Sequence, residues 1–561
     1  MHQSELRQRP MSRETTGGRS DNNNNNNSET ASATSSHLRG DVPSLRIISR
    51  TVSEVRDGIE SWRDLDLAQD QPAEDGGEKT SSPDPDDPNL VTWTGPDDPE
   101  NPKNWAFSKK WGAVFIVSMF TLVSPISSSM IAPALLDIGR ELDIPEGFEQ
   151  NLVLSIFILA YALGPLIYGP LSEMYGRVII LQLSNLSFLA FSLGCGFSRT
   201  AHQLIACRFF SGLGGSATLA IGGGVLSDLF VAEERGRAMS MYSLAPLLGP
   251  AIGPIAGAFI TANTTWRWAF WATCVADAAI QVAGLFFLRE TYPPVLLARR
   301  RQHLVTLTGN MALRTPYDDN GSSSSIWAKL RVSMTRPFRL LATQVIVQCI
   351  SLYMMFVYGL LYILFTSFPT LFTAPPPQGY GMSVGTGGLN YLSLGLGFFL
   401  GAQICAPLQD RIYVYLKVRR GHGVGRPEFR VPIMLPAAVL VPVGLLVYGW
   451  TAEYKTHWIG PDIGAMLFAA GGIAAFQCLQ GFLVDSYQRY AASAVGAATV
   501  LRSLAGFGFP LFAPSLYDRL GYGWGNTLMA LLAVVIGIPG PLLLWKYGEV
   551  LRKRSPFAAG D

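Results

Sequence analysis

The chain has 561 residues, of which 48% are hydrophobic and 15% are charged, and its mean hydropathy is +0.24. Soluble domains carry roughly a quarter charged residues, so this composition indicates a membrane protein. The formal net charge of +2 does not suggest a nucleic-acid partner, and the six cysteines lack the spacing of a metal or redox site.

The first 100 residues are polar and include an asparagine run, Asn22–Asn27, and a stretch rich in proline and aspartate, Pro83–Pro88. Such low-complexity composition cannot bury enough apolar surface to fold. We therefore predict a disordered cytoplasmic tail over residues 1–100. The first 40 residues contain no apolar stretch typical of a signal peptide, so we expect the first membrane span to direct insertion.

From Trp111 onward the chain contains twelve apolar stretches long enough to cross a bilayer as helices. The polar stretch Arg289–Arg339 divides them into two sets of six. We predict an all-α membrane protein with an N-terminal six-helix half, a central cytoplasmic loop, a C-terminal six-helix half and a short cytoplasmic tail. These four parts are residues 101–290, 291–340, 341–550 and 551–561. The predicted spans are 111–135, 149–170, 178–197, 203–227, 237–261, 268–288, 341–371, 384–407, 431–451, 461–484, 493–516 and 523–546.

Lysine and arginine concentrate on one side of the predicted bundle, for example at Arg299–Arg301 in the central loop and at Arg552–Arg554 after the last span. Because cytoplasmic loops of membrane proteins are enriched in these residues, we predict that both termini and the central loop are cytoplasmic. Asn263 begins an Asn-Thr-Thr glycosylation sequon on the outer side. Its loop is so short that we favour an unmodified turn.

The turn between the second and third spans contains Glu173 and Arg177, flanked by apolar stretches. Charged residues at that depth are costly, which indicates a function, although any tight turn also favours glycine and arginine. Gly169 and Gly176 allow the helix ends to approach closely. Glu173 and Arg177 can pair in a half-desolvated site. Asp228, at the end of the fourth span, is the predicted third member of this charge cluster.

Two further ionisable residues lie inside predicted spans. Arg208, in the fourth span, must either face a polar interior or cap backbone carbonyls of a neighbouring helix. Asp277 lies near the middle of the sixth span. It is a candidate proton carrier, and a hydrogen bond to a neighbouring helix is an equal alternative.

The fifth span contains a repeated Gly-Pro pattern, Gly249-Pro250 and Gly253-Pro254. Proline bends a helix, and glycine gives it a smooth face for close packing. Packing alone would account for such a pattern in any membrane protein.

Two six-helix halves around a basic central loop resemble the major facilitator superfamily, and the resemblance covers residues 100–555. The turn at Gly169–Arg177 matches the family's pattern between helices 2 and 3, except that Met174 and Val178 replace further basic residues. Within the superfamily, the chain resembles the fungal drug:proton antiporters with twelve spans, a multidrug, secondary-metabolite and polyamine-transporter-like group. The motifs of this narrower resemblance are Asn101–Trp105, Glu290–Leu296, Gly425–Arg430, Tyr490–Ala494 and Arg502-Ser503.

The resemblance implies roles for these residues. It implies that the charge cluster is a conformational latch rather than a substrate site, and it associates Arg208 with proton transfer. The Gly-Pro pattern resembles the motif of proton-coupled antiporters, which implies export. Pro407–Arg411, between the eighth and ninth predicted spans, resembles a degenerate copy of the turn at Gly169–Arg177, as duplicated halves predict.

Polar and aromatic residues of the second half are candidates for lining a substrate cavity, although ordinary packing is an equal alternative for each aromatic. The candidates are Tyr353, Phe356, Tyr358, Tyr362, Gln344, Gln348, Gln477 and Gln480. Acidic residues inside the spans are scarce, whereas a binder of polyvalent cations needs several. We therefore favour an apolar or weakly ionised organic substrate over a polyamine.

We predict a proton-coupled efflux transporter that exports a small organic compound, such as a drug, toxin or secondary metabolite, by alternating access. Its partners would be that compound, protons and the lipid bilayer, without nucleic acid, metal or cofactor. We expect a monomer in the plasma membrane, with the vacuolar membrane as the alternative. No nucleophile motif or Walker-type loop suggests an enzyme or an ATP-driven pump. The alternatives are an importer or polyamine transporter of the same superfamily, or a membrane receptor that binds solute without moving it.

Overall fold

The computed structural model describes residues 88–95, 97–145, 147–318, 326–421, 425–487, 490–555 and 557–558. Most of the predicted tail, part of the predicted central loop and the last three residues lie outside the described residues. The regular elements of the described part are all helices, and Leu90 and Arg314 form an isolated parallel β-bridge.

The helices follow the predicted spans, with short helices between some of them. The α-helices are α1 Phe107–Ser129, α2 Leu135–Glu141, α3 Phe148–Tyr175, α4 Arg177–Phe197, α5 Ala201–Leu229, α6 Ala232–Asn263, α7 Arg267–Phe287, α8 Pro293–Thr308, α9 Ile326–Thr343, α10 Val345–Thr373, α11 Val384–Leu389, α12 Tyr391–Arg419, α13 Met434–Glu453, α14 Ile459–Ser486, α15 Ala491–Gly537 and α16 Pro539–Lys553. Short 3₁₀ turns lie at Pro102–Asn104, Ala132–Ala134 and Pro427–Ile433.

Eleven segments of the described chain are long and apolar enough to cross a membrane. The last of them, Ala491–Lys553, has 63 residues. At about 1.5 Å per residue this is roughly 95 Å of helix, whereas a bilayer core is only about 30 Å thick. Gly521 breaks the helix with φ of 70° and ψ of 176°, so this segment crosses twice. The described residues therefore contain the twelve predicted spans, and the predicted fold class is confirmed.

Two predicted boundaries are wrong. The seventh predicted span, 341–371, contains a break at Gln344, whose φ of −107° and ψ of 109° separate α9 from α10. The eighth predicted span, 384–407, continues as α12 to Arg419. Pro407–Arg411 therefore lies inside a helix and is not a turn between two spans, because the polar residues after the apolar stretch extend the same helix.

The two halves of the bundle are α1–α7 and α10–α16. We call the end at which α1 begins and α16 ends the basic end, because the clusters of arginine and lysine lie there. The turn between α3 and α4 also lies at the basic end, since α3 runs back across the bundle. The other end is called the opposite end.

Glycines allow α5 to pack closely inside the first half. A Cβ at Gly212 would lie 3.0 Å from Phe157 Cα of α3. One at Gly214 would lie 2.6 Å from Ser184 O of α4. Any side chain at either position would push the helices apart. This close approach explains why glycines follow Arg208 in the sequence.

The segment before α1 is held against α8 at the basic end. The Asp98 carboxylate accepts hydrogen bonds from the Thr94 backbone N–H over 2.8 Å and from Arg300 over 2.7 Å. These bonds, that of Thr94 foremost, hold the pKa of Asp98 well below its usual range, although burial opposes them. Val91 N–H also donates to Arg314 O over 2.8 Å. The segment is therefore fastened to the part of the chain between the two halves.

Candidate functional site

A cavity of about 710 Å³ lies between the two halves. Its walls come chiefly from α1, α3 and α6 of the first half and from α10, α14 and α15 of the second. At the basic end its lining includes Glu173 and Tyr490, and towards the opposite end it extends to Phe365 and Phe468. The cavity therefore has its mouth at the basic end.

Contacts between the halves close the cavity towards the opposite end. Ser128 Oγ of α1 and Tyr362 OH of α10 form a hydrogen bond of 3.1 Å. A Cβ at Gly395 of α12 would lie only 2.7 Å from Ala251 Cβ of α6. These helices are therefore in direct contact, and a molecule in the cavity exchanges with the basic side of the membrane in this conformation.

Four of the residues that the sequence suggested as cavity candidates line this cavity. They are Tyr358 and Tyr362 of α10, and Gln477 and Gln480 of α14. The Tyr358 and Tyr362 rings lie 5.2 Å apart between centroids. Among the described residues, Gln477 Oε1 is buried without a hydrogen-bond partner. The tyrosines and glutamines thus bring aromatic surface and polar groups to one wall.

The other four candidates, Tyr353, Phe356, Gln344 and Gln348, do not line the cavity. Tyr353 precedes Tyr358 by five residues, so at about 100° per residue it points roughly 140° away around α10. Its side chain is 3% exposed and packs in the core of the second half. Gln348 lies near the start of α10, where its amide donates to Ala342 O over 3.0 Å.

Arg502 of α15 lines the cavity, although sequence reasoning used it only as part of a motif. Its Cζ lies 5.2 Å from the ring centroid of Tyr358 and 5.6 Å from that of Phe476. The available signal was an arginine inside an otherwise apolar span, which is costly unless it faces a polar cavity or a partner.

The predicted charge cluster assembles at the end of α3, with different partners from those expected. Arg177 lies 3.4 Å from Asp228 Oδ2, and its Nη1 donates to Ser172 Oγ over 2.7 Å. Glu173 is 4.0 Å from Arg177 and its side chain is 54% exposed. The tight pair is therefore Arg177 with Asp228, while Glu173 faces the mouth of the cavity.

Sequence reasoning gave no role to Glu290, which joins this cluster from the end of α7. Its carboxylate accepts the backbone N–H groups of Arg177 over 2.9 Å and Val178 over 3.2 Å. These are the first N–H groups of α4, so Glu290 caps that helix. Gly176 precedes them with φ of 107°, a backbone conformation that favours glycine. Gly169, by contrast, would have no atom within 4 Å of an added Cβ, so the structure shows no close approach there.

A matching cluster lies in the second half. Arg430 Nε is 2.5 Å from Asp485 Oδ2, and the two residues are 55 positions apart, against 51 for the pair in the first half. In both halves a glycine lies four residues before the aspartate and packs against the arginine. A Cβ at Gly481 would lie 3.0 Å from Arg430 Cδ, and one at Gly224 would lie 2.9 Å from Arg177 Cζ. The second half therefore repeats the pair of Arg177 and Asp228 as Arg430 and Asp485. Pro407–Arg411 lies within α12, as Gly169 and Glu173 lie within α3.

Arg208 lies in the interior of the first half and is 0% exposed. Its guanidinium donates to Ser127 O over 3.0 Å, to Ser128 O over 3.1 Å and to Val153 O over 3.3 Å. Its Cζ also lies 4.5 Å from the ring centroid of Phe157. The guanidinium thus holds α1 and α3 together through their backbone carbonyls.

Asp277 of α7 is 0% exposed and does not line the cavity. Asn185 of α4 donates from Nδ2 to both of its carboxylate oxygens over 3.1 Å and to Gln281 Oε1 over 2.8 Å. The structure therefore contains the hydrogen bond between neighbouring helices that was the alternative to proton transfer.

The Gly-Pro pattern lies on α6 where this helix packs against α1. A Cβ at Gly249 would lie 2.5 Å from Pro125 Cβ, and one at Gly253 would lie 2.7 Å from Ile126 O. Pro250 lines the cavity. The glycines therefore serve close packing within the first half, while a proline shapes the cavity wall.

At the end of the same helix, Asn263 Nδ2 donates to Phe259 O over 2.8 Å, and Pro254 lies in the last turns before it.

Comparisons with known proteins agree with this architecture. Residues 117–510 match the family model of the Major Facilitator Superfamily. The efflux pump vrtL of Penicillium aethiopicum is 49% identical over 84% of this chain and 92% of its own length. The efflux pump radE of Floropilus chiversii is 42% identical over 84% of this chain and 86% of its own length.

Solved structures show the same fold at low sequence identity. The partially occluded inward open conformation of the xylose transporter XylE from E. coli superposes with a TM-score of 0.57 at 15% identity. The match covers 78% of this chain and 98% of that one. At this identity the similarity concerns the fold alone.

Proposed function

This chain belongs to the Major Facilitator Superfamily of membrane transporters, and we propose that it is a proton-coupled efflux transporter for a small organic compound. The observation that carries the proposal is the cavity between the halves, with its mouth at the basic end and its closure at the other. If the basic end is cytoplasmic, as its lysines and arginines favour, this conformation loads substrate from the cytoplasm. The names of the efflux-pump relatives support the same direction.

The proposal includes a location and an assembly state. The transporter works as a monomer in the plasma membrane, with the vacuolar membrane as the alternative, and both termini are cytoplasmic. The proton gradient drives it, without a cofactor. Alternating access then requires the halves to rock so that the basic end closes and the opposite end opens.

The charge cluster acts as a latch in this cycle. In the conformation with the basic end open, Arg177 and Asp228 pair within the first half, and Glu173 is left half exposed at the mouth. When the mouth closes, Glu173 gains the second half as a neighbour, so its carboxylate is available for a contact that exists only in the outward-open state. Gly176 ends the helix that carries it, and Gly169 lies about one turn before Glu173 in the same helix.

Arg208 and Asp277 are the proposed participants in proton coupling. Arg208 donates to the backbone carbonyl of Ser128. Ser128 lines the cavity, and its hydroxyl forms a hydrogen bond with Tyr362. Asp277 does not line the cavity and its carboxylate accepts from Asn185, so its participation requires a proton path past that amide. Asp277→Asn tests this role, because asparagine keeps the size of the side chain and loses the titratable proton. If proton dependence survives that substitution, Asp277 has only a structural role.

The test of export is a growth screen of a strain that lacks this protein, against chemically varied toxic compounds. For a compound against which the protein protects, cellular retention is measured with and without a protonophore. Proton-driven export predicts that collapse of the gradient raises retention in the strain with the protein and leaves it unchanged in the strain without it. Unchanged or lower retention in the first strain refutes the proposal.

A further inference from the structure

The charge of the cavity is positive. Its described lining residues include three arginines, Arg177, Arg336 and Arg502, and one acidic residue, Glu173. Three of these four lie near the mouth: Glu173 and Arg177 on either side of the turn between α3 and α4, and Arg336 within α9. Arg502 lies deeper, roughly 15 Å of helix from the start of α15. The deep part of the cavity therefore contains a cation without an acidic neighbour among the described lining residues.

The surroundings of Arg502 do not neutralise its charge. Its two close neighbours are the aromatic rings of Tyr358 and Phe476, at 5.2 Å and 5.6 Å from Cζ. Its Nε is buried and has no hydrogen-bond partner among the described residues. Stacking on aromatic faces offsets only part of the free-energy cost of placing a charge inside the membrane. An anionic ligand would supply the missing stabilisation.

Arg502 contrasts with Arg208, which lies inside a span of the first half. The Arg208 guanidinium is fully buried and donates to three backbone carbonyls of its own half. Arg502 is half-buried and faces the space between the halves. One arginine is therefore used in holding helices together, while the other presents donors to whatever enters the cavity.

Resting on the proposed function, we infer that the transported compound is an aromatic organic anion whose acidic group binds Arg502. The guanidinium presents a planar set of donors that matches a carboxylate. The rings of Tyr358 and Phe476 flank it and offer a surface for an aromatic body, and the amide of Gln477 lies on the same wall. This assignment replaces the expectation of an apolar or weakly ionised substrate with that of an anion, and it argues against a polyamine, which Arg502 would repel.

The experiment measures binding and needs no transport. The purified full-length protein in lipid nanodiscs is titrated at pH 7 with anthracene-9-carboxylic acid and separately with its methyl ester, followed by their fluorescence. The acid is ionised and the ester is neutral, while their aromatic bodies are identical. Wild type is expected to bind the acid at least about tenfold more tightly, the gain typical of a charge-assisted hydrogen bond.

Three variants identify the residue responsible. Arg502→Gln is expected to remove the preference for the acid and to leave the affinity for the ester within about twofold. Arg502→Lys keeps the charge and is expected to restore part of the preference. Arg519→Gln is the matched control, since Arg519 belongs to the same helix segment but is exposed near the opposite end, and it is expected to behave as wild type.

The inference is overturned if wild type binds the ester as well as the acid, if it binds neither, or if Arg502→Gln keeps the preference. These outcomes are separate from the test of export, because equilibrium binding depends on neither the proton gradient nor the direction of transport. Anion preference without proton-driven export would refute the proposed function alone. Proton-driven export without anion preference would refute this inference alone.

Discussion

The closed opposite end offers a direct test of alternating access. At Gly395 of α12 an added Cβ would lie 2.7 Å from Ala251 Cβ of α6, about 0.8 Å closer than the usual carbon–carbon contact of about 3.5 Å. A Cβ cannot rotate out of the way, so in Gly395→Ala the two helices must separate. Alanine is also the better helix former, so any loss of stability comes from the contact between the halves.

The expected effect is on the balance of two conformations. Overpacking by one methyl group costs about 1–3 kcal/mol, and it acts only where the opposite end is closed. The population of the basic-end-open conformation relative to the alternative should therefore fall by about five- to 150-fold. Gly388→Ala, which would overlap Ala258 of α6 at the same interface, should shift the balance further.

The assay uses a cysteine at the mouth. Ser493 lines the cavity at the basic end, so Ser493→Cys, in a background in which the exposed Cys349 is serine, reports closure of that end. The rate of maleimide labelling in nanodiscs should fall in Gly395→Ala. Gly223→Ala is the control, since a Cβ there meets no atom within 4 Å. An unchanged or faster labelling rate in folded Gly395→Ala would refute the reasoning.

Three further predictions concern single side chains. Glu290→Ala removes the cap of α4 and should lower the free energy of unfolding by about 1–2 kcal/mol, seen as a lower Tm in detergent. Asp98→Asn should speed hydrogen exchange of the Val91 amide about tenfold or more. The pKa of Asp98 is lowered in the folded state. The stabilisation that its carboxylate provides is therefore fully present above its ordinary pKa near 4 and is lost only as pH falls further. The protection of the wild-type Val91 amide against hydrogen exchange should accordingly be constant between pH 5 and 8. Arg208→Lys should lower proton-dependent efflux at least about tenfold, because one ammonium cannot reproduce three guanidinium contacts.

Each of these predictions has its own control. Glu100→Ala should change the Tm little, because its side chain is 65% exposed and its 3.3 Å ion pair with Arg300 is a surface pair. A wild-type protection of Val91 that decays between pH 8 and pH 5 would contradict the assignment to Asp98. For Arg208→Lys, surface expression and Tm must match wild type, and efflux that stays proton-dependent at the wild-type rate would exclude Arg208 from coupling.

The membrane spans were predictable because burial in lipid demands long apolar stretches, and each stretch is a local property of the sequence. The capping of α4 by Glu290 was not predictable, since it joins residues 113 positions apart and its sequence signal is only a carboxylate after a span. The second charge cluster was missed for a related reason. Sequence resemblance points only to Pro407–Arg411, whereas the pair of Arg430 and Asp485 joins residues 55 positions apart.

The cavity lining shows a second limit of sequence reasoning. Tyr353 and Tyr358 are chemically equal in the sequence, and only the rotation of α10 decides which of them reaches the cavity. Arg502 was visible as a charge in an apolar span, but whether such a charge is satisfied by backbone carbonyls, as at Arg208, or by a ligand depends on the neighbouring helices.

The break at Gly521 ties the last two spans into one mechanical unit. The spans are joined without a loop, and the Glu453 carboxylate at the end of α13 accepts the Gly523 N–H over 3.0 Å. A Cβ at Gly521 would lie 2.7 Å from that carboxylate. The corner between the two spans is therefore short, and the Glu453 side chain fills the space beside it. When the halves rock, the eleventh and twelfth spans must turn together with the ninth, and a tag or reporter inserted at this corner would disturb all three.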